Sequence, residues 1–199
     1  MAVTVRNIIV GAGNLYISSA DNNKTPLSTA PTAGTSYNVA LSGDSNFRSV
    51  GATRDGVEIA YTPQYGEVEV DQLKDAAILF NQGLQIMMNT SMAESSLANL
   101  LVAWGFPSTN LVNTGDTLNL GVPLESPVER TAVVVGRAPA TAALAPRERV
   151  YYARRVVSMQ GSNHTLRRTE ATVFPVSFRL LADPSYSGSE YGTITDRTV

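Results

Sequence analysis

The sequence predicts a mainly β (α+β) fold: an antiparallel β-sandwich or barrel, one flanking α-helix at about residues 94–104, and extended arms. Three observations carry this. Short runs rich in Val, Ile, Tyr, Phe and Thr recur with period-two alternation, divided by Gly, Pro, Asn and Asp. One segment alone keeps a clear 3.6-residue apolar period. No strand–helix–strand alternation is visible, so the sheet is built from hairpins. The 199 residues suit a single domain, 1–199.

Taken in order, residues 4–18 read as a strand broken by Gly11-Ala12-Gly13. This G-x-G is not a dinucleotide fingerprint. Tyr16 stands where the third glycine belongs, and no helix pattern follows. A hairpin or bulge fits better. Residues 18–47 are polar and lack a helical period. A structureless stretch of that length is uncommon inside a compact domain, so it reads as an arm or long hairpin ordered against another subunit.

Residues 51–105 organise the chain. Arg54-Asp55-Gly56 is turn chemistry. Val57, Ile59 and Tyr61 then share one strand face. After Pro63 and Gly66 comes a second strand, with Val68 and Val70 on one face and Glu67, Glu69 and Asp71 on the other. Three like charges on one face repel. That face is either solvated or built to repel something such as DNA. Residues 72–82 fit a short helix or an irregular crossing. Leu84, Ile86, Met88 and Thr90 alternate as a strand.

The helix follows. Leu97, Leu100, Leu101 and Trp104 fall at i, i+3, i+4 and i+7, which gives it a core face. Ser91 and Glu94 have capping-box spacing. Gly105 stands where a left-handed C-cap wants glycine. One short helix cannot bury that stripe alone, so a sheet must cover it.

Residues 105–126 are loop-like, 131–135 and 150–159 are strands, and 138–146 form an Ala/Pro loop. Gly161-Ser162-Asn163 is a turn. Residues 169–181 are the last strand, and Pro175 within it implies an edge or bulge. Residues 185–199 read as a polar tail, mobile in the isolated chain.

Composition excludes several functions. The net charge of −2 argues against a broad basic nucleic-acid face. With no cysteine there is no disulfide and no thiolate metal site. The single histidine, His164, lacks a second ligand for zinc and has no G-x-S-x-G elbow to serve. Glu67 and Glu69 as a glycosidase pair have no evident cleft. No enzyme activity, cofactor or metal is expected. No apolar run is long enough for a membrane helix. Asn7 and Gly11 interrupt Ile8-Ile9-Val10, so the N-terminus lacks a signal-peptide core.

Charge is uneven. Residues 44–94 hold eight acids and three bases, whereas residues 129–170 hold eight arginines and three acids. This is either neutralisation within the chain or head-to-tail contact between copies, acidic face on basic face.

Gly51-Ala52-Thr53-Arg54-Asp55-Gly56-Val57-Glu58-Ile59-Ala60-Tyr61, with Pro63, Tyr65, Glu67, Glu69, Val70, Asp71 and Gln72, resembles the major tail tube proteins of long, non-contractile-tailed bacteriophages. Thr90-Ser91-Met92-Ala93-Glu94 leading into the leucine helix is similar to the same family, as is Phe174-Pro175-Val176-Ser177-Phe178-Arg179-Leu180-Leu181-Ala182-Asp183-Pro184 as a closing strand. The resemblance implies a structural virion protein of the phage tail, assembled in the host cytoplasm. It implies homohexameric rings stacked head to tail around a tape-measure protein, capped by tail terminator and tail-tip proteins. DNA passes through during ejection, without sequence-specific binding, and no membrane is involved. Within that frame Glu58, Glu67, Glu69 and Asp71 are candidates for the lumen wall, where negative charge keeps phosphate from adhering. Their competing place is against the arginine-rich segment of the next subunit, for which Arg147, Arg149, Arg154 and Arg155 are the candidates. The alternative function is a β-sandwich binding module, carbohydrate-binding or capsid-decorating. The scatter of eight tyrosines along the sequence disfavours it.

Overall fold

The computed structural model describes residues 11–22, 26–27, 30–68, 78–121, 126–140, 145–159, 163, 165–166, 168 and 171–199. The protein is mainly β. Its strands are β1 (Asn14–Ser18), β2 (Phe47–Ser49), β3 (Thr53–Val68), β4 (Ile78–Met92), β5 (Leu111–Val112), β6 (Thr117–Leu118), β7 (Arg130–Arg137), β8 (Arg147–Ser158), β9 (Phe174–Leu180) and β10 (Gly192–Thr198). Two helices, α1 (Tyr37–Ser42) and α2 (Leu97–Ala103), lie against them.

The main sheet is antiparallel in the order β2-β1-β7-β8-β9-β4-β3. β8 changes partner along its length. Residues 147–153 pair with β10, and residues 156–158 pair with β9. The sheet turns at that switch and its halves close over the main core. β7 is buried on both faces, as a central strand of β-branched residues should be. Ala132 and Val134 enter the main core with Leu15, Ile17, Met88, Met92 and Phe178. Val133 and Val135 enter a second core on the opposite face, with Tyr16, Tyr37, Leu41, Phe47, Val150 and Tyr152. Pro175 sits where β9 pairs with β4 alone, since pairing with β8 reaches only to Phe178. That is the edge position the proline demanded.

Several expectations change. Residues 57–61 and 67–68, read as parts of two strands, belong to one continuous strand, β3, with Pro63 inside it. Among the described residues β3 pairs with β4 alone, so a missing amide on its outer side is tolerated. Arg54-Asp55-Gly56 is a bulge in that strand rather than a turn. Asp55 and Gly56 take φ of 64° and 78°, and the register shifts across them. Thr90 Oγ1 donates to the Gly56 carbonyl at 2.8 Å and fixes the bulge. The stretch read as an arm at 18–47 contains α1, whose Tyr37 and Leu41 are buried in this chain's own second core. The tail at 185–199 contains β10, which adds to β8. Of the 72–82 segment, residues 78–82 are strand; 69–77 lie outside the described residues. So do residues 1–10, Gly161, Ser162 and His164.

The helix at 94–104 is present but shorter, and its cap differs. Ser96 is the N-cap, accepting from the Asn99 amide at 3.2 Å. Ser91 lies in β4, and Glu94 turns away to accept the Ala52 amide at 3.0 Å. Gly105 does close the helix. Its φ is 68°, its amide donates to Val102 O, and the Phe106 amide donates to Leu101 O. These two bonds make a Schellman motif. A Cβ there would meet nothing closer than 3.8 Å, so Gly105→Ala is a pure test of backbone conformation. It should cost about 1–2 kcal/mol, read as a lower denaturation midpoint with unchanged slope.

The core face is rotated from the stripe Leu97, Leu100, Leu101 and Trp104. Leu101 is buried, together with Val102, Ala103 and Asn99. Leu97, Leu100 and Trp104 are only half-buried. The β5–β6 ribbon and the Phe106 turn bring Leu111, Leu118 and Phe106 to the same cluster as Leu100 and Trp104, so the stripe is shared between two layers. Asn99 is the residue the apolar pattern could not show. It is 2% exposed, and its Nδ2 donates to Val50 O at 2.8 Å and Glu94 O at 2.9 Å. Val50 precedes β3 and Glu94 follows β4, so one amide group ties both ends of the long hairpin to α2.

Candidate assembly surface

β3 and β4 form a hairpin far longer than the sheet behind it. The halves nearest the body pack on β9 and the core. Among the described residues the far halves, 61–68 and 78–86, pair only with each other. Side chains alternate, so the ribbon has two faces. Register puts Tyr61, Tyr65, Glu67 and Leu79 on one, and Val68, Ile78 and Phe80 on the other. These apolar side chains are bare: Tyr61 is 64% exposed, Tyr65 60%, Ile78 60% and Leu79 63%. Six of the twelve large exposed apolar residues among those described sit on this one ribbon. Single exposed apolar residues need no explanation, but a cluster on a projecting element does. Gly66 lets the ribbon stay thin. A Cβ there would sit 2.6 Å from Phe80 Cζ and 2.3 Å from Gln82 Nε2.

Of the acidic candidates, Glu58 and Glu67 are among the described residues. Glu67 is exposed on the Tyr61–Tyr65 side. Glu58 lines the polar depression at the bulge, whereas its neighbours Ile59 and Tyr61 line the apolar cleft, and a register shift at Gln64/Tyr65 lies between Glu58 and Glu67. The Glu58 carboxylate accepts from Asn89 Nδ2 at 3.1 Å. Glu69 and Asp71 lie outside the described residues.

The basic candidates are committed within the chain. Arg149 makes a bidentate pair with Asp196 of β10, at 2.6 and 2.7 Å. That hydrogen bonding raises the guanidinium pKa and lowers the Asp196 carboxyl below its ordinary 3.8. The pair's contribution is therefore in place above that value and is lost as pH falls through the depressed folded-state pKa. Arg147 donates to Asp196 O at 3.3 Å. Arg154 donates to Ser189 and lies 3.6 Å over the Tyr186 ring. Arg155 forks onto Glu129 and donates to Ala182 O at 2.7 Å. The two carboxylate partners, Asp196 and Glu129, lie outside the acidic segment 44–94, so these bonds commit the four arginines within the chain without pairing the two charged segments.

A second feature lies beside the hairpin. An open cleft of about 290 Å³ runs between it and β10. Tyr61, Ile86 and Met88 form one wall, Tyr151 and Leu180 the floor, and Tyr191 and Ile194 the other wall. None of its lining residues carries a carboxylate, amide or guanidinium group. The outer face at the bulge is different: Arg54, Asp55, Glu58, Asn89 and Ser177 line a shallow polar depression there. Among the described residues no group of three or more His, Cys, Asp and Glu side chains is placed to hold a metal ion. No helix among them is long and apolar enough to cross a membrane.

No protein-family model matches the chain, and a search of curated proteins returned no match.

Proposed function

We propose that this is a self-assembling structural protein of a phage tail, forming stacked hexameric rings around a tape-measure protein and conducting DNA at ejection. The observation that carries the reading is the projecting hairpin with bare apolar side chains on both faces. Such a ribbon is a liability in a protein that stays alone. The same chain carries an apolar cleft at the base of the ribbon, beyond which Val68, Ile78, Leu79 and Phe80 project; a knob and a hole of this kind on one molecule generate head-to-tail contacts. The sequence resemblance adds the ring and tube geometry.

Negative-stain electron microscopy across a concentration series tests this. Hollow rings or tubes of uniform width are expected as concentration rises. A chain that stays monomeric at every concentration, with and without the tape-measure protein, would end the reading.

The proposed lumen wall is Glu67 with Glu69 and Asp71, the last two outside the described residues; Glu58 is left out because it lines the depression at the bulge with Asn89. The triple variant Glu67→Gln, Glu69→Gln, Asp71→Asn should still build tubes of normal width and fail at DNA ejection. Failure to build rings would place these acids in a subunit contact instead. Glu58→Gln should do neither.

A second reading, the binding module, gains one observation. Four of the eight tyrosines, Tyr61, Tyr151, Tyr152 and Tyr191, meet in the cleft although they come from three distant parts of the sequence. The cleft is lined by no carboxylate, side-chain amide or guanidinium group to fix sugar hydroxyls, so an apolar segment suits it better. A glycan screen separates the two, and specific binding abolished by Tyr151→Ala would favour the module.

A further inference from the structure

The second core is walled off from the main one by β1, β7 and β8, and α1 is its lid. A six-residue helix has no stability of its own. Its first turn is held from outside. Glu148 of β8, only 5% exposed, accepts from Ser36 Oγ at 2.8 Å and from the Tyr37 amide at 3.0 Å. A carboxylate that deep requires a cation. The cation comes from β10: Arg197 stands directly opposite Glu148 in the register and donates to it at 3.3 Å. The same guanidinium donates to Pro31 O at 2.9 Å and lies 5.2 Å over the Tyr37 ring. One side chain of the last strand therefore touches the loop before α1, the aromatic at its start and the acid that caps it. β10 itself is bound along one edge only, to β8, among the described residues.

From this we infer that the C-terminal strand is a latch: β10 and residues 31–42 open and close as one unit, joined through Arg197 and Glu148, while the main core stays shut. Opening uncovers the apolar face of Tyr16, Val133, Val135, Val150 and Tyr152, and with it the edge of β8 over residues 147–153. The coupling is reciprocal, as any linkage must be. Loss of Arg197 frees α1, and loss of α1 packing loosens β10. This inference does not rest on the tail-tube reading.

Hydrogen exchange of the full chain tests it, comparing wild type with Arg197→Met, which keeps the stem and removes the fork. Amides of residues 31–42 and 192–198 should both exchange about tenfold faster or more, while residues 97–103 and 130–135 keep their protection. Faster exchange in 192–198 alone would overturn the latch, and so would uniform acceleration across the chain. Should the variant fail to fold, wild-type protein in a mild guanidinium series decides. Residues 31–42 and 192–198 are expected on one opening curve below that of the main core, and separate curves would refute the coupling.

Discussion

Leu79→Asp combined with Phe80→Asp abolishes assembly and leaves the fold intact. The two side chains are 63% and 46% exposed in the single chain, on opposite faces of the hairpin. Exposed substitutions of this kind change stability by about 0.5 kcal/mol or less, so the denaturation midpoint should hardly move. In an assembly that covers the ribbon, each loses the roughly 1.5–3 kcal/mol of a buried large apolar side chain. Each also places a charge in a desolvated contact, which costs several kcal/mol more. Repeated at every joint, that stops growth outright. Val39→Asp is the control: Val39 is 64% exposed but lies on α1, away from the hairpin, and tubes should form normally. Normal tubes from the double variant would remove the hairpin from the contacts.

The largest loss of stability is expected from Asn99→Leu, about 4 kcal/mol. The leucine matches the volume but leaves Val50 O and Glu94 O without their donor. It also strips Arg48 of an acceptor, since Nη1 donates to Asn99 Oδ1 at 2.7 Å and Nη2 to Ala98 O at 2.8 Å. Burial already lowers the Arg48 pKa to about 10, with a smaller push from Arg130. A guanidinium in that position tolerates no further loss of partners. The double variant Arg48→Met, Asn99→Leu should recover part of the deficit, because the unpaired cation is gone while the two carbonyls remain bare. Chemical denaturation read at constant slope measures both, and a double variant no better than the single would exclude Arg48 from the effect.

The fold class was legible because alternation and β-branched content are local. The strands at 131–135 and 150–159, the Pro175 edge and the Gly105 cap can all be read from neighbouring residues. What was illegible depends on long-range partners. Asn99 looks like an ordinary helix-surface residue until Val50, Glu94 and Arg48 surround it. The capping box at Ser91 fails because β4 runs through that serine, and pairing with Arg54 outranks a local cap. The tail hid β10 because Thr193-Ile194-Thr195 is too short to read as a strand without the β8 edge beside it. The candidate surface was half visible. The charge of Glu67 is legible in the sequence, but the apolar ribbon reads there as separate strands divided by Pro63 and Gly66 and by an ambiguous segment at 72–82. Pro63 and Gly66 read as punctuation, and only an edge strand with a thin two-sided ribbon makes both of them unremarkable.

The central pairing of β1 with β7, where Tyr16 faces Val133 and Ile17 faces Ala132, sets the order in which the chain can mature. A nascent polypeptide completes the β3–β4 hairpin while β1 holds only the three residues of β2. Leu15, Tyr16 and Ile17 must then wait, uncovered, for residues 130–137 to leave the ribosome. Contacts so distant in sequence make closure slow, and they leave sticky intermediates during synthesis. Translation stalled before β7 therefore yields a chain with a finished hairpin and an open sheet, a natural client for chaperones rather than a smaller stable domain.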